Sequence, residues 1–355
     1  MAKVRVMVVG CGNMGASHAR AYHSLDGFDL IGLIDRNARN RDLLAEELGG
    51  IKQYDDFDTA IAIGKPDAIA ICTYPDSHAA LAIKALEAGC HVFVEKPLAT
   101  TVDQAKSIVD KAIECNKTLV IGYILRVHPS WIKFIEIAKT LGKPLVMRMN
   151  LNQQSSGKTW HTHLKIMQSM SPIVDCGVHY VDVMCQMTGA KPISVSAIYA
   201  RLSEQLPTGI ANYGQLQVRF DDGSVGWYEA GWGPMMSDVA FFVKDVIGPK
   251  GCVNIMDAEQ GGKSSDDIDA HTKTNRLKIH YAERNEQDEF TRKDEIINTE
   301  DEPDHQGLCN LEQEFFYKSI QDNSNLSEHH QSAIDSLRIV LAADESAKTG
   351  KMIEL

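Results

Sequence analysis

The chain has no pair of cysteines at C-x-x-C spacing, because its eight cysteines are scattered at positions 11, 72, 90, 115, 176, 185, 252 and 309. Most lie in apolar strand or helix patterns, where cysteine behaves as a small hydrophobe. They read as reduced thiols, and neither a disulfide framework nor a metal cluster is indicated. No apolar run approaches the roughly 20 residues of a membrane-spanning helix, so no membrane partner is expected. There is no basic excess either: the net charge is −12, which argues against a nucleic-acid partner. Most of that acidic excess lies between Asp257 and Asp304, in a polar stretch that reads as solvated loops and edge strands. Internal repeats and low-complexity segments are absent. Met1-Ala2-Lys3 leads directly into the first apolar run and leaves no room for a signal peptide, which points to the cytoplasm. At 355 residues, with 44% hydrophobic residues, the chain has the size and composition of a soluble two-domain protein.

What is present starts at the N-terminus. The run Val4-Arg5-Val6-Met7-Val8-Val9 enters Gly10-Cys11-Gly12-Asn13-Met14-Gly15 and then a helical pattern. A buried strand that turns sharply into a helix needs glycine at Gly10. Without a Cβ, Gly12 lets a pyrophosphate approach the backbone, and Gly15 lets helix and strand pack closely. The unpaired N–H groups of the helix start would face the diphosphate, near Asn13 and Met14. A second apolar run, 28–34, ends at Asp35, twenty residues after Gly15, where a carboxylate would accept from both adenosine ribose hydroxyls. Asp35 would repel a 2′-phosphate and so favours NAD. Arg36 and Arg39 keep NADP open as the alternative, since an arginine beside the acid can pair with that phosphate.

Buried strands then continue to alternate with amphipathic helices, the pattern of a parallel sheet. Strands are predicted at 68–72, 91–94 and 119–123, and helices at 43–48, 77–88 and 102–116. Five such strands with intervening helices in about 120 residues match a dinucleotide-binding domain. Beyond Tyr123 the style changes. Helices are predicted at 131–141 and 173–187, the second stopped by Gly189, and an extended run at 145–152. Strands at 193–201, 213–220, 224–232, 239–247 and 276–281 follow without intervening helices, and Asp221-Asp222-Gly223 gives a hairpin signal. Helices at 311–321 and 328–348 close the chain. The fold class is therefore α/β: a Rossmann domain over 1–123 and an α+β domain over 124–355 with a largely antiparallel open sheet. One face of that sheet needs a cover, for which a homodimer or homotetramer is expected.

The strand at 91–94 delivers Glu95-Lys96-Pro97 at its carboxyl end, where ligands bind in such sheets. Burial beside a nicotinamide would ease proton loss from Lys96, making it a candidate acid/base for an alcohol–ketone pair.

At this point the chain resembles the glucose–fructose oxidoreductase/inositol dehydrogenase/MocA family over nearly its whole length. The resemblance rests on Gly10 to Gly15, Thr73-Tyr74-Pro75-Asp76-Ser77-His78, Glu95-Lys96-Pro97, Gly122-Tyr123-Ile124-Leu125-Arg126 and Asp175-Cys176-Gly177-Val178-His179. It implies a substrate cleft between the two domains and oxidation or reduction of a hydroxyl carbon of a sugar or cyclitol with NAD(P). By position, Lys96 matches the family's catalytic lysine, and Asp175 and His179 match its second-domain carboxylate and imidazole. Four apart on a helix, Asp175 and His179 would share one face and point at one substrate. The alternative is that Asp175 caps the helix and His179 is a core histidine.

Thr73, Tyr74 and Pro75 resemble the family's loop beneath the nicotinamide ribose. His78 either faces the cofactor or belongs to the first turn of its helix. Glu95 is placed beside the cofactor, and Tyr123 beside the substrate. Arg126 and His128 lie at the domain junction, where family counterparts line the cleft, with a structural salt bridge as the alternative. One departure stands out: Met170-Ser171-Pro172-Ile173-Val174 precedes Asp175 where the family often has glycines. Upstream, Trp160-His161-Thr162-His163 reads as a loop walling the sugar site, with an aromatic face for C–H groups and imidazoles for hydroxyls. Spacing places no third ligand near this His-x-His, so no metal is expected. The expected activity is an NAD-dependent dehydrogenase acting on a secondary hydroxyl of a sugar, glycoside or inositol. A non-catalytic sugar-responsive regulator and an NAD-requiring glycosidase are the alternatives.

Overall fold

The computed structural model describes residues 3–236, 243–256 and 274–355. The chain forms two compact units, Met1–Val127 with Pro303–Ile334, and His128–Glu302 with Asp335–Leu355.

In the first unit the strands are β1 Val4–Val9, β2 Phe28–Ile34, β3 Gln53–Tyr54, β4 Ala68–Ile71, β5 His91–Glu95 and β6 Leu119–Gly122. They pair in parallel in the order β3-β2-β1-β4-β5-β6. The two-residue β3 is too short for its apolar pattern to show in the sequence. Helices α1 Asn13–Ser24, α2 Ala38–Glu47, α3 Phe57–Gly64, α4 Pro75–Glu87 and α5 Val102–Glu114 connect the strands. Asn37, Asp56 and Thr101 cap α2, α3 and α5 through their side-chain oxygens. Strands covered on both faces are apolar throughout rather than alternating, and β4 is buried at every residue.

The second unit carries α6 Pro129–Thr140, β7 Val146–Gln154, α7 Gly157–Ile166, α8 Pro172–Asp175, α9 Gly177–Thr188 and β8 Pro192–Ala200. Strands β9 Tyr213–Phe220, β10 Val225–Gly233, β11 Lys244–Gly248, β12 Gly251–Met256, β13 Arg276–Tyr281 and β14 Glu295–Asn298 follow. The chain ends with α10 His305–Gln321, α11 Ser327–Thr349 and β15 Ile353–Glu354. The sheet runs β14-β13-β12-β11-β7-β10-β9-β8-β15, antiparallel except for the parallel pair β7–β10. The predicted hairpin joins β9 to β10, with Gly223 at φ +83. Gly189, at φ +64, stops α9.

Four expectations change. The single boundary after Tyr123 gives way to an excursion, because residues 303–334 belong to the first unit. There α10 supplies Phe316, fully buried with ring centroids 6.1 Å from Phe93 and 6.3 Å from Phe28. The predicted helix 173–187 is two helices broken at Cys176, where Gly177 packs under Tyr228; a Cβ there would lie 3.1 Å from the tyrosine ring. The Trp160-to-His163 segment is the helix α7 rather than a loop. Of the strand expected at 239–247, β11 is seen from Lys244, while residues 237–242 and the 257–273 part of the acidic stretch lie outside the described residues. Among the described residues no helix is long and apolar enough to cross a membrane.

Candidate active site

The glycine turn is built from three different constraints. Gly10 has φ +91, and a Cβ on it would meet the Cys72 carbonyl oxygen at 2.6 Å. On α1, a Cβ at Gly15 would lie 1.8 Å from the Gly10 carbonyl oxygen, so this glycine is what lets helix and strand pack. Gly12 has an ordinary φ of −76°. A Cβ there would meet nothing within 4 Å. No protein atom demands glycine at Gly12; its missing side chain leaves an open cradle at the start of α1, a helix with no side-chain cap on its first N–H groups. That cradle suits an anionic diphosphate.

Asp35, at the end of β2, is tied to the same turn. Its Oδ2 accepts from the Cys11 N–H at 2.6 Å and its Oδ1 from the Asn37 N–H at 2.7 Å. Arg41 donates to its carbonyl at 2.8 Å, while Arg36 and Arg39 are exposed. Burial, reinforced by the charge of Asp35, pushes the Cys11 thiol up to about 12, so it stays protonated.

The loops after β4 and β5 are joined by His78. Its Nδ1 lies 2.9 Å from the Pro97 carbonyl and its Nε2 3.0 Å from that of Thr73. His78 is fully buried, and burial lowers its proton affinity despite the two carbonyls. It sits between the Thr73 and Lys96 loops, and in its neutral form it donates to one of the two carbonyls at a time. Thr73 also shares a 2.7 Å hydrogen bond with Ser77, and Tyr74 is largely exposed, with Pro75 opening α4. Lys96 is half-buried, and its peptide to Pro97 is cis. Tyr123 is buried at the end of β6, with the Arg126 guanidinium 5.3 Å from its ring centre and 3.0 Å from His329 Nδ1.

Beneath Lys96 runs a network invisible to sequence motifs. Glu95, 6% exposed, accepts from the Lys96 N–H at 3.1 Å through Oε2 and meets His18 Nε2 at 2.6 Å through Oε1. His18 Nδ1 lies 2.9 Å from Gln313 Nε2, and the Tyr22 hydroxyl donates to Gln313 Oε1. Glu312 is buried beside them with neither oxygen hydrogen-bonded. Burial, then the charge of Glu95, pushes its carboxyl well above the usual range and keeps it neutral. His18, Cys309 and Glu312 bring their ligand atoms within 4.8 Å of one another. Both nitrogens of His18 are already engaged, so the cluster is a hydrogen-bond network and not a preformed metal site. Only the buried helical position of His18 hinted at this; its partners lie 77 and 295 residues away.

In the second unit Ser171, not Asp175, caps α8, its hydroxyl accepting from the Val174 N–H at 3.2 Å. Asp175 and His179 are half-buried on either side of the break at Cys176, whose thiol lies 3.5 Å from Asp175 Oδ2. His163 stacks on Trp232 with centroids 4.3 Å apart and contacts the Ser155 hydroxyl at 3.0 Å. Trp160 is buried and donates to Gln205, whereas His161 is exposed. Buried His128 lies 3.8 Å from Glu302, beyond hydrogen-bond distance, and burial lowers its proton affinity despite that charge.

Residues 4–123 match the oxidoreductase family with an NAD-binding Rossmann fold, and residues 135–251 match the GFO/IDH/MocA C-terminal domain. The UDP-N-acetylglucosamine 3-dehydrogenase of Acidithiobacillus ferrooxidans is 29% identical over 198 residues, covering 56% of this chain and 58% of that one. The match thus spans little more than half of that relative's length. The scyllo-inositol 2-dehydrogenase (NAD(+)) of Bacillus subtilis is 28% identical over 71% of this chain and 74% of its own. In fold, the chain is similar to the WlbA dehydrogenase of Chromobacterium violaceum, solved with NADH and UDP-GlcNAcA. The TM-score is 0.76 at 19% identity, over 99% of this chain and 96% of the other.

Proposed function

The chain belongs to the Gfo/Idh/MocA oxidoreductase family, with an NAD-binding Rossmann domain, and on that premise we propose that it is a dehydrogenase of a sugar or cyclitol secondary hydroxyl. The observation that carries this reading is the placement of Lys96. It follows β5 on the carboxyl edge of the sheet that also holds the Gly12 cradle and the anchored Asp35.

Bound NAD would supply the hydride acceptor. The neutral Lys96 amine takes the hydroxyl proton as hydride leaves the same carbon, so the alcohol becomes a ketone and Lys96 an ammonium that returns its proton to water. On the family resemblance, Asp175 and His179 are assigned to orienting the hydroxyl, and Trp160, His161 and His163 to holding the ring. Asp35 would repel a 2′-phosphate, which favours NAD; the exposed Arg36 leaves NADP as the weaker partner.

A panel of inositols, glucosides and UDP-N-acetylglucosamine, incubated with NAD, tests the reading by NADH absorbance. Net NADH with one of them is the expected result. Glycoside cleavage without net NADH would mean a transient oxidation instead, and binding without either would mean a sensor. Lys96→Ala should keep NAD binding and lower kcat by about 10²–10⁴-fold; wild-type turnover would remove Lys96 from the mechanism.

Self-association belongs to the same proposal. Ile247, Val146 and Val225 are adjacent across β11, β7 and β10 and stay 38–40% exposed, and Ile198 on β8 is 68% exposed. A homodimer or homotetramer would cover them, and Val146→Asp should shift the sedimentation coefficient to that of the monomer.

A further inference from the structure

We propose that His18 is a positioning residue for Lys96, acting through Glu95, so that the helix that starts at the glycine turn and the proton-transferring lysine are mechanically linked. The inference rests on the assignment of Lys96 as the acid/base.

The polarity of the chain of hydrogen bonds is set from its far end. The buried Tyr22 hydroxyl donates to Gln313 Oε1, and burial keeps this phenol neutral. The Gln313 amide N–H then faces His18 Nδ1 at 2.9 Å, which makes that nitrogen the acceptor and puts the imidazole proton on Nε2. From there it is donated to Glu95 Oε1 at 2.6 Å. The remaining oxygen, Oε2, accepts the Lys96 N–H at 3.1 Å. The Lys96 N–H is thus held by a carboxylate that cannot rotate without breaking a buried bond. The imidazole packs against Phe93, with ring centroids 4.8 Å apart and planes tilted by 59°, and is wholly inaccessible to solvent.

His18→Phe keeps the ring volume and removes the donor to Glu95. His18→Gln keeps an N–H near the Nε2 position and should rescue. With the panel sugar that gives the highest turnover, the Phe variant should lose about 10–100-fold in kcat, with KM for NAD and NADH affinity within about threefold of wild type. The Gln variant should recover to within about fivefold. Independently of any sugar, acetic anhydride labelling of Lys96, read by peptide mass spectrometry against exposed Lys165, should change at least about threefold in the Phe variant and not in the Gln variant.

If no panel sugar is oxidised but the labelling moves as stated, the dehydrogenase reading fails and the linkage stands. Unchanged kcat and labelling in His18→Phe overturns the linkage and leaves the dehydrogenase reading intact. Equal losses in both variants, accompanied by lost NADH binding, also overturn it and make His18 a core residue only. Should the Phe variant not fold, Glu95→Gln carries the comparison, since the amide NH2 that replaces one of the two carboxylate oxygens cannot accept from His18 or from Lys96. Lower kcat and altered Lys96 labelling support the linkage, and wild-type values for both overturn it.

Discussion

Asp35 shows how much one carboxylate settles. Its two oxygens are already held by the Cys11 and Asn37 N–H groups, so the group is oriented before any ribose arrives, at no further cost in side-chain freedom. A hydrogen bond to a charged acceptor contributes about 1.5–3 kcal/mol. Asp35→Ser should therefore weaken NAD binding by about 10–100-fold. It should also narrow the preference over NADP, because the repulsion of a 2′-phosphate goes with the charge while Arg36 stays exposed. Titration of both coenzymes against tryptophan fluorescence checks this, and an unchanged NAD to NADP affinity ratio would assign discrimination elsewhere. Asp35 was legible because a strand-end acid twenty residues past a glycine turn is a local pattern. His18 and Gln313 were not, because nothing local connects positions whose meaning comes from contacts 295 residues apart.

At the scale of the strand–turn–helix element, the three glycines separate ligand demands from folding demands. Gly15→Ala would drive a Cβ to 1.8 Å from a backbone oxygen, and Gly10→Ala would place L-geometry at φ +91 against the Cys72 carbonyl. Both should lower the melting temperature. Gly12→Ala meets nothing within 4 Å and sits at φ −76°, so the apoprotein should melt within about 2 °C of wild type while NAD affinity drops tenfold or more. Calorimetry and NAD titration of the three variants decide it, and a destabilised Gly12→Ala would mean that this glycine serves the fold. The element itself could be read from the sequence because strand, turn and helix each carry a strong local signature. By contrast, the break at Cys176 could not. The apolar pattern of 173–187 is continuous, and what interrupts it is the close approach of Tyr228 from a distant strand to Gly177. The short strands β3, β14 and β15 were missed for the related reason that two to four residues carry too little periodicity.

Across the whole molecule, the alternating pattern of the first third and the strand-rich middle were readable from hydrophobic periodicity. The return of α10 to the first unit was not, since a closing amphipathic helix says nothing about which core receives Phe316. Buried imidazoles supply a property of the whole chain. His78, His91, His128, His329 and His330 all have lowered proton affinity, with burial the largest cause in each. For His91 the value falls to about 4, and its Nδ1 accepts from the Thr118 N–H at 3.0 Å, which a protonated ring could not do. In the unfolded chain these groups titrate near 6.5, so between about pH 6.5 and 4 the unfolded state binds more protons than the folded one. Their contribution to stability is complete above the unfolded value and is lost as the pH falls through that window. The urea midpoint should be flat from about pH 7 to 8 and decline steadily below 6.5, before most carboxylates titrate. His91→Asn keeps an acceptor for Thr118 and does not titrate, so it should lower the slope between pH 6 and 4.5 by roughly one proton's share. A wild-type midpoint independent of pH over that range would mean that these histidines are not held neutral in the folded protein.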